Sequence, residues 1–156
     1  ESKTYAQLLP GGKAYQFYFI EEVKSFITHP SPGLKMNGPG YYEISGIAFS
    51  GEGRITRVDV SADGGKTWAR AELQTPVLDK SFTRFRIPWH WDGSPATLQS
   101  MAWDNKGNRQ PTRAQFVAHR GQLQKELPPT AFPNQHFNGV TSWGIATSGE
   151  VTHVYA

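Results

Sequence analysis

The feature that most limits the possible folds is the tight turn Asp63-Gly64-Gly65, which follows directly on an alternating stretch of sequence. Thr56, Val58 and Val60 are two residues apart with charged residues between them, which is the period of a half-buried strand. Asp-Gly predicts a hairpin, because the turn needs a positive φ that glycine adopts without a Cβ penalty. Trp68 then opens the return strand, and we expect its ring to cover one end of a core.

Similar short apolar runs recur along the chain between clusters of turn residues. The turns include residues 50–54 and 104–108, and 16 glycines and 11 prolines supply others. No amphipathic helix stands out. The sequence therefore predicts an all-β fold, an immunoglobulin-like β-sandwich of the E-set type with about seven strands. Besides the strand before the turn, the predicted strands are residues 23–29, 41–49, 69–73, 82–89, 97–103, 114–119 and 151–155.

Length and composition exclude several classes of protein. A chain of 156 residues suits one domain with at most a short appendage. The absence of cysteine excludes a disulfide framework, a thiolate metal site and a cysteine nucleophile. The net charge is +3, but the 16 Lys and Arg residues are scattered among acids, which favours a solvated surface over a nucleic-acid site. A basic face that meets an acidic protein partner is the alternative.

Residues that could carry chemistry do not form a recognisable motif. The five histidines are far apart and lack the spacing of metal ligands. No serine lies in a nucleophile elbow, and Asp63, Asp92 and Asp104 sit in turn contexts rather than as a catalytic pair. Residues 89–91, Trp-His-Trp, are interpreted as a core edge or an interface, with a sugar platform as the alternative.

Three separated motifs nevertheless resemble one known family. The segments SGEGR, RVDVSADGGKTW and AWDNKGNRQP occur in that order, and together they resemble the C-terminal domain of sulfite-oxidase-type molybdenum enzymes. The ending FNGVTSWGIATSGEVTHVYA, residues 137–156, is most similar to the sulfane dehydrogenase branch of that family, which serves bacterial thiosulfate oxidation. The resemblance covers roughly residues 23–156.

The resemblance implies a division of labour within a longer enzyme. Residues 1–21 would be the tail of a preceding molybdenum-cofactor domain, and residues 22–156 the immunoglobulin-like dimerisation domain. Molybdenum-molybdopterin would be bound in the preceding domain, with no cofactor in this fragment, which alone would not be catalytic. The parent would oxidise carrier-bound sulfur and pass electrons to a cytochrome c subunit. It would be a periplasmic homodimer that binds a sulfur-carrier protein and neither nucleic acid nor membrane.

The resemblance also implies one functional region. In this family a tryptophan-asparagine-leucine-arginine-glycine motif lends an arginine to the substrate pocket. The matching stretch here is Phe137-Asn138-Gly139-Val140-Thr141, and the arginine is absent. We expect Asn138, Gly139, Val140 and Thr141, with Tyr5, to contribute to the pocket, and the missing cation to suit carrier-bound sulfur better than free sulfite.

A free-standing module is the rival hypothesis. A carbohydrate-binding or adhesive sandwich would use the rings of Trp89 and Trp91 as a flat exposed platform. Burial of those rings would disfavour it.

Overall fold

Most of the chain forms two antiparallel sheets. The computed structural model describes residues 6–8, 14–16, 20–118 and 137–155. Strands β1 and β2 pair as a small separate hairpin. The eleven strands within the described residues are β1 (Ala6–Leu8), β2 (Ala14–Gln16), β3 (Lys24–His29), β4 (Gly40–Phe49), β5 (Ile55–Ser61), β6 (Ala69–Arg70), β7 (Glu72–Leu73), β8 (Thr83–Trp91), β9 (Ala96–Asp104), β10 (Ser142–Ile145) and β11 (Val151–Val154).

The two larger sheets enclose the hydrophobic core. One has the strand order β3-β4-β8-β7 and the other β11-β10-β9-β5-β6. Ile44 and Phe85 from the first sheet and Val58 and Leu98 from the second are almost fully buried in one cluster. Along β4 and β8, alternate residues enter this core, as a half-buried strand requires. The prediction of an all-β, immunoglobulin-like sandwich is confirmed, with nine strands in these two sheets rather than about seven.

Residues 69–73 were predicted as one return strand, and this is wrong. Strand β6 pairs with β5, whereas β7 pairs with β8 in the opposite sheet. The chain changes sheets at Ala71, which is buried and whose N–H donates to the carbonyl of Val58 at 2.9 Å. Because β6 ends at Arg70 and β7 begins at Glu72, Ala71 alone connects the two sheets here.

The strand predicted at residues 114–119 is also wrong, because residues 113–118 form a short helix and residue 119 lies outside the described part of the chain. Thr112 and Gln115 form a reciprocal capping box at its start. The Thr112 N–H donates to Gln115 Oε1 at 3.0 Å, and the Gln115 N–H donates to Thr112 Oγ1 at 3.2 Å. These bonds satisfy amide groups that a helix start leaves unpaired, and so favour the helix. None of the helices in the described ranges is long and apolar enough to cross a membrane.

The central turn has the predicted geometry. Gly64 and Gly65 have φ values of +72° and +88°. The prediction for Trp68 is wrong: its indole N–H donates to the Gly65 carbonyl at 2.9 Å, and its ring lies beside Arg57 and Asp59 on the outer face of the five-stranded sheet. The indole therefore braces the turn rather than covering the core.

Replacing Gly64 by Val should lower the free energy of unfolding by about 1 kcal/mol or more, because a β-branched residue opposes a positive φ. A Cβ at this position would lie 3.7 Å from Thr97 Cβ, an ordinary contact, so the cost is conformational rather than steric. Gly64→Asn is the matched control and should cost less, since asparagine tolerates this conformation. Urea unfolding measures both, and equal stability of Gly64→Val and the parent would contradict the turn assignment.

The same turn makes stability depend on pH through Asp63. Its carboxylate accepts hydrogen bonds from Thr67 Oγ1 at 2.6 Å, from the Thr67 N–H at 2.9 Å and from Ser61 Oγ at 2.7 Å. These hydrogen bonds lower the pKa of Asp63, and the bonds from Thr67 have the largest effect. A lowered folded-state pKa adds stability above the unfolded value of about 3.9, and this contribution is lost as the pH falls below it.

Asp63→Asn should therefore be less stable than the parent at pH 7, and the difference should shrink as the pH is lowered from about 4 towards 2. Urea unfolding across this range measures the difference. Asp79→Asn, at an exposed carboxylate 3.9 Å from Arg54, is the control and should show little effect. A parent-to-Asp63→Asn difference that stays constant down to pH 2 would contradict the assignment.

Candidate functional site

A cavity of about 520 Å³ lies on the outer face of the five-stranded sheet. Strand β5 supplies Arg57 and Asp59, because these residues alternate with the core residues Val58 and Val60. Strand β9 supplies Gln99, Met101 and Trp103 by the same alternation, with Leu98, Ser100 and Ala102 on the inner side. The remaining walls are Gly64, Gly65 and Trp68 from the turn, residues Arg109 and 112–115, and Val140.

The floor of the cavity holds a forked ion pair. Arg57 Nε donates to Asp59 Oδ1 at 2.8 Å, and Arg57 Nη2 donates to Asp59 Oδ2. The hydrogen bond to Asp59 raises the pKa of Arg57, whose guanidinium is in any case charged at accessible pH. One face of the Arg57 guanidinium stacks on the Trp103 ring, with the guanidinium carbon 4.6 Å from the ring centroid. Arg57 and Asp59 therefore neutralise each other and fix the floor.

Two further arginines line the cavity without a carboxylate partner. Arg109 Nη2 donates to Gln115 Oε1 at 3.2 Å, so the helix cap also orients this guanidinium. The guanidinium carbon of Arg113 lies 4.7 Å from the centroid of the Tyr155 ring. Among the residues that the structure describes, neither arginine forms an ion pair. The sequence analysis did not identify Arg109 or Arg113 as site residues. The capping-box spacing of Thr112 and Gln115 was the signal that could have located them.

The structure places most of the predicted pocket segment against the sandwich. Asn138, Gly139 and Val140 are buried and Thr141 is half-buried, whereas Tyr5 lies outside the described residues. The Val140 N–H donates to the carbonyl of Pro111 at 2.9 Å, and Val140 lines the cavity. The fold thus brings Val140 together with Arg57, Arg109 and Arg113, which are distant from it in sequence. The assignment of the predicted segment and Tyr5 to a substrate pocket stays a prediction.

The buried side chain of Gln110 fixes this segment to the core. Its Oε1 accepts from the Ser25 N–H at 2.9 Å, from Ser25 Oγ at 2.7 Å and from the Ala102 N–H at 3.2 Å. Its Nε2 donates to the carbonyls of Ser25 at 3.1 Å and Gly139 at 3.4 Å. Gln110 therefore joins β3, β9 and the 137–141 segment.

The aromatic platform of the rival hypothesis is not formed. Trp91 is almost fully buried, Trp89 packs against the core, and only His90 of this triplet points outward, 4.8 Å from the Tyr41 ring. The core-edge interpretation of residues 89–91 holds for the two tryptophans, whereas His90 is exposed and the interface interpretation stays a prediction. A carbohydrate-binding surface built on the two tryptophans is therefore disfavoured.

The side chains present do not fit a molybdenum site. The described ranges contain no group of three or more His, Asp or Glu side chains that could hold a metal ion, and the sequence supplies no thiolate. No catalytic step through molybdenum is assigned to these residues.

A family model defines the class of protein. The model described as "Mo-co oxidoreductase dimerisation domain" matches residues 17–126, more than half of the chain. The chain therefore belongs to the Mo-co oxidoreductase dimerisation domain family, and the predicted membership of the sulfite oxidase family is confirmed.

Several known proteins are similar to this chain. The crystal structure of the sulfane dehydrogenase SoxCD from Paracoccus pantotrophus superposes with a TM-score of 0.85 at 40% identity, covering 100% of this chain and 38% of that one. Sulfite oxidase of Gallus gallus is 50% identical over 52 residues, 33% of this chain and 11% of the relative. Nitrate reductase [NADH] 1 of Oryza sativa subsp. japonica is 34% identical over 112 residues, 62% of this chain and 12% of the relative. The chain thus spans a minor part of each of these proteins, all of them molybdenum oxidoreductases.

Proposed function

We propose that residues 22–156 are the C-terminal dimerisation domain of a molybdenum-cofactor sulfur oxidoreductase of the sulfane dehydrogenase type. Residues 1–21 would belong to the end of its cofactor domain. The whole enzyme would oxidise carrier-bound sulfur in the periplasm and pass electrons to cytochrome c. In this proposal the sandwich pairs with its twin and supports the cofactor domain, and the 137–141 segment faces the substrate pocket.

The similarity to SoxCD over the whole chain carries this proposal. An identity of 40% over the whole chain supports the sulfane dehydrogenase branch, whereas sulfite oxidases match over 52 to 70 residues. The 137–141 segment, which carries no arginine, is also consistent with a substrate larger than sulfite. Val140 nevertheless lies in the wall of a cation-lined cavity, so anions have a place beside this segment.

The first test addresses dimerisation. Sedimentation equilibrium of the 156-residue chain should give a mass of twice 17.4 kDa, since a dimerisation domain buries its apolar surface against a second copy. A mass of 17.4 kDa at all accessible concentrations would count against the architectural role.

The second test addresses the chemistry. The complete reading frame should encode an upstream domain with a cysteine placed as a molybdenum ligand, and its purified product should contain molybdenum. With cytochrome c as acceptor, the carrier-sulfur conjugate should be oxidised with a higher kcat/KM than free sulfite. A preference for free sulfite would contradict the sulfane dehydrogenase assignment and leave the family assignment intact.

A further inference from the structure

The cavity on the five-stranded sheet has an unbalanced positive charge. It is lined by three arginines and, among the described residues, by a single carboxylate, that of Asp59. The charges of Arg57 and Asp59 cancel each other in their forked ion pair. Arg109 and Arg113 remain, and together they leave a charge of about +2 in the lining of the cavity, since arginine stays protonated at any accessible pH.

Both guanidinium groups retain donors that can bind a ligand. Each has five N–H groups, and within the described part of the chain Arg109 uses one of them, in the bond to Gln115. Arg113 makes no hydrogen bond to the described residues and stacks one face on Tyr155, so the edges of its guanidinium keep their donors. Stacking and the contact with Gln115 reduce the freedom of the two side chains and so lower the entropic cost of binding.

We propose that Arg109 and Arg113 form a binding site for a tetrahedral inorganic oxyanion that carries two negative charges. A dianion matches the excess charge of the two guanidinium groups, and its four oxygens can accept from two forks at once. A carboxylate has one charge and two oxygens, so it satisfies only one fork. The cavity of about 520 Å³ also has room for waters that complete the coordination.

Sulfate is the probe for this site. Isothermal titration calorimetry should detect saturable binding when sodium sulfate replaces sodium chloride at constant ionic strength, which separates binding from screening. In a ¹⁵N–¹H spectrum, the indole N–H signals of Trp68 and Trp103 should shift during the titration, because both rings line the cavity. The indole signal of the buried Trp91 should not shift.

Arg113→Gln and Arg109→Gln should each weaken sulfate binding about tenfold or more, since each removes a charge-assisted contact. Arg84→Gln is the matched control, because Arg84 is exposed on the other sheet and should bind sulfate as the parent does. Thermal unfolding shows whether each variant is folded, and Arg113→Gln removes no hydrogen bond within the described residues.

Three results would overturn the proposal. The first is an absence of saturable sulfate binding, or of any shift at Trp68 and Trp103. The second is parent-like affinity in both Arg109→Gln and Arg113→Gln. The third is an equal response to sodium acetate at matched ionic strength, which would indicate a site for carboxylate groups such as acidic side chains.

Discussion

Gln110→Leu should lower the free energy of unfolding by about 3 kcal/mol, because it leaves several buried polar groups without partners. Leucine is close to glutamine in volume, so the loss reports hydrogen bonding rather than a cavity. The Ser25 N–H and the Ala102 N–H both lose the oxygen that they share, and burial keeps water from replacing it. Urea unfolding monitored by tryptophan fluorescence measures the effect.

Gln74→Leu is the matched control for this variant. Gln74 is exposed, and the structure gives it a backbone hydrogen bond to Arg84 that the substitution leaves in place. Its effect should stay within about 0.5 kcal/mol. A cost below about 1 kcal/mol for Gln110→Leu would show that water or a shifted side chain satisfies the network.

Gly46→Ala should destabilise the protein by about 3 kcal/mol or more, as expected for severe overpacking of a core. Gly46 lies in the middle of β4 between β3 and β8. A Cβ there would clash with the carbonyl oxygen of Phe26 and with Cζ of Phe85. The first contact is with backbone and cannot be relieved by a rotamer change, so the two strands must move apart.

A double-mutant cycle with Phe85→Leu separates the two contacts. The smaller side chain removes the clash with the ring and leaves the clash with the Phe26 carbonyl. The cost of Gly46→Ala should therefore fall in the Phe85→Leu background without vanishing. Full additivity of the two variants would show that the Phe85 ring does not constrain position 46.

The parts of the fold that follow a local rule were predictable. The Asp63-Gly64-Gly65 turn needs only a residue type that adopts a positive φ, and the alternation in β8 assigns Phe85 and Ile87 to the core side. Thr56 was predicted to share a face with Val58 and Val60 and is exposed, because a register shift between Ile55 and Arg57 moves it out of the alternation. Such a shift depends on the partner strand and leaves no local signal.

The candidate site was less predictable than the fold, because it is assembled from distant segments. Val140 was singled out by resemblance, but Arg57, Arg109 and Arg113 come from β5, the 109–112 connection and the short helix. Their proximity depends on the buried Gln110 and on the capping box, both of which are tertiary or context-dependent features. The wrong prediction of a strand at residues 114–119 made the site harder still to predict, because Arg113 is oriented by the short helix that forms there instead.

The 109–110 segment has a consequence for how two copies of this chain can associate. Strand β10 pairs with β9 only from Ala96 to Gln99, which would leave the rest of that β9 edge open. The chain itself closes this edge: Arg109 forms a bridge with Trp103, and the Gln110 N–H donates to the carbonyl of Ala102 at 2.9 Å. An open edge would invite a strand from another molecule. A twin subunit therefore cannot extend the sheet by adding a strand at this place.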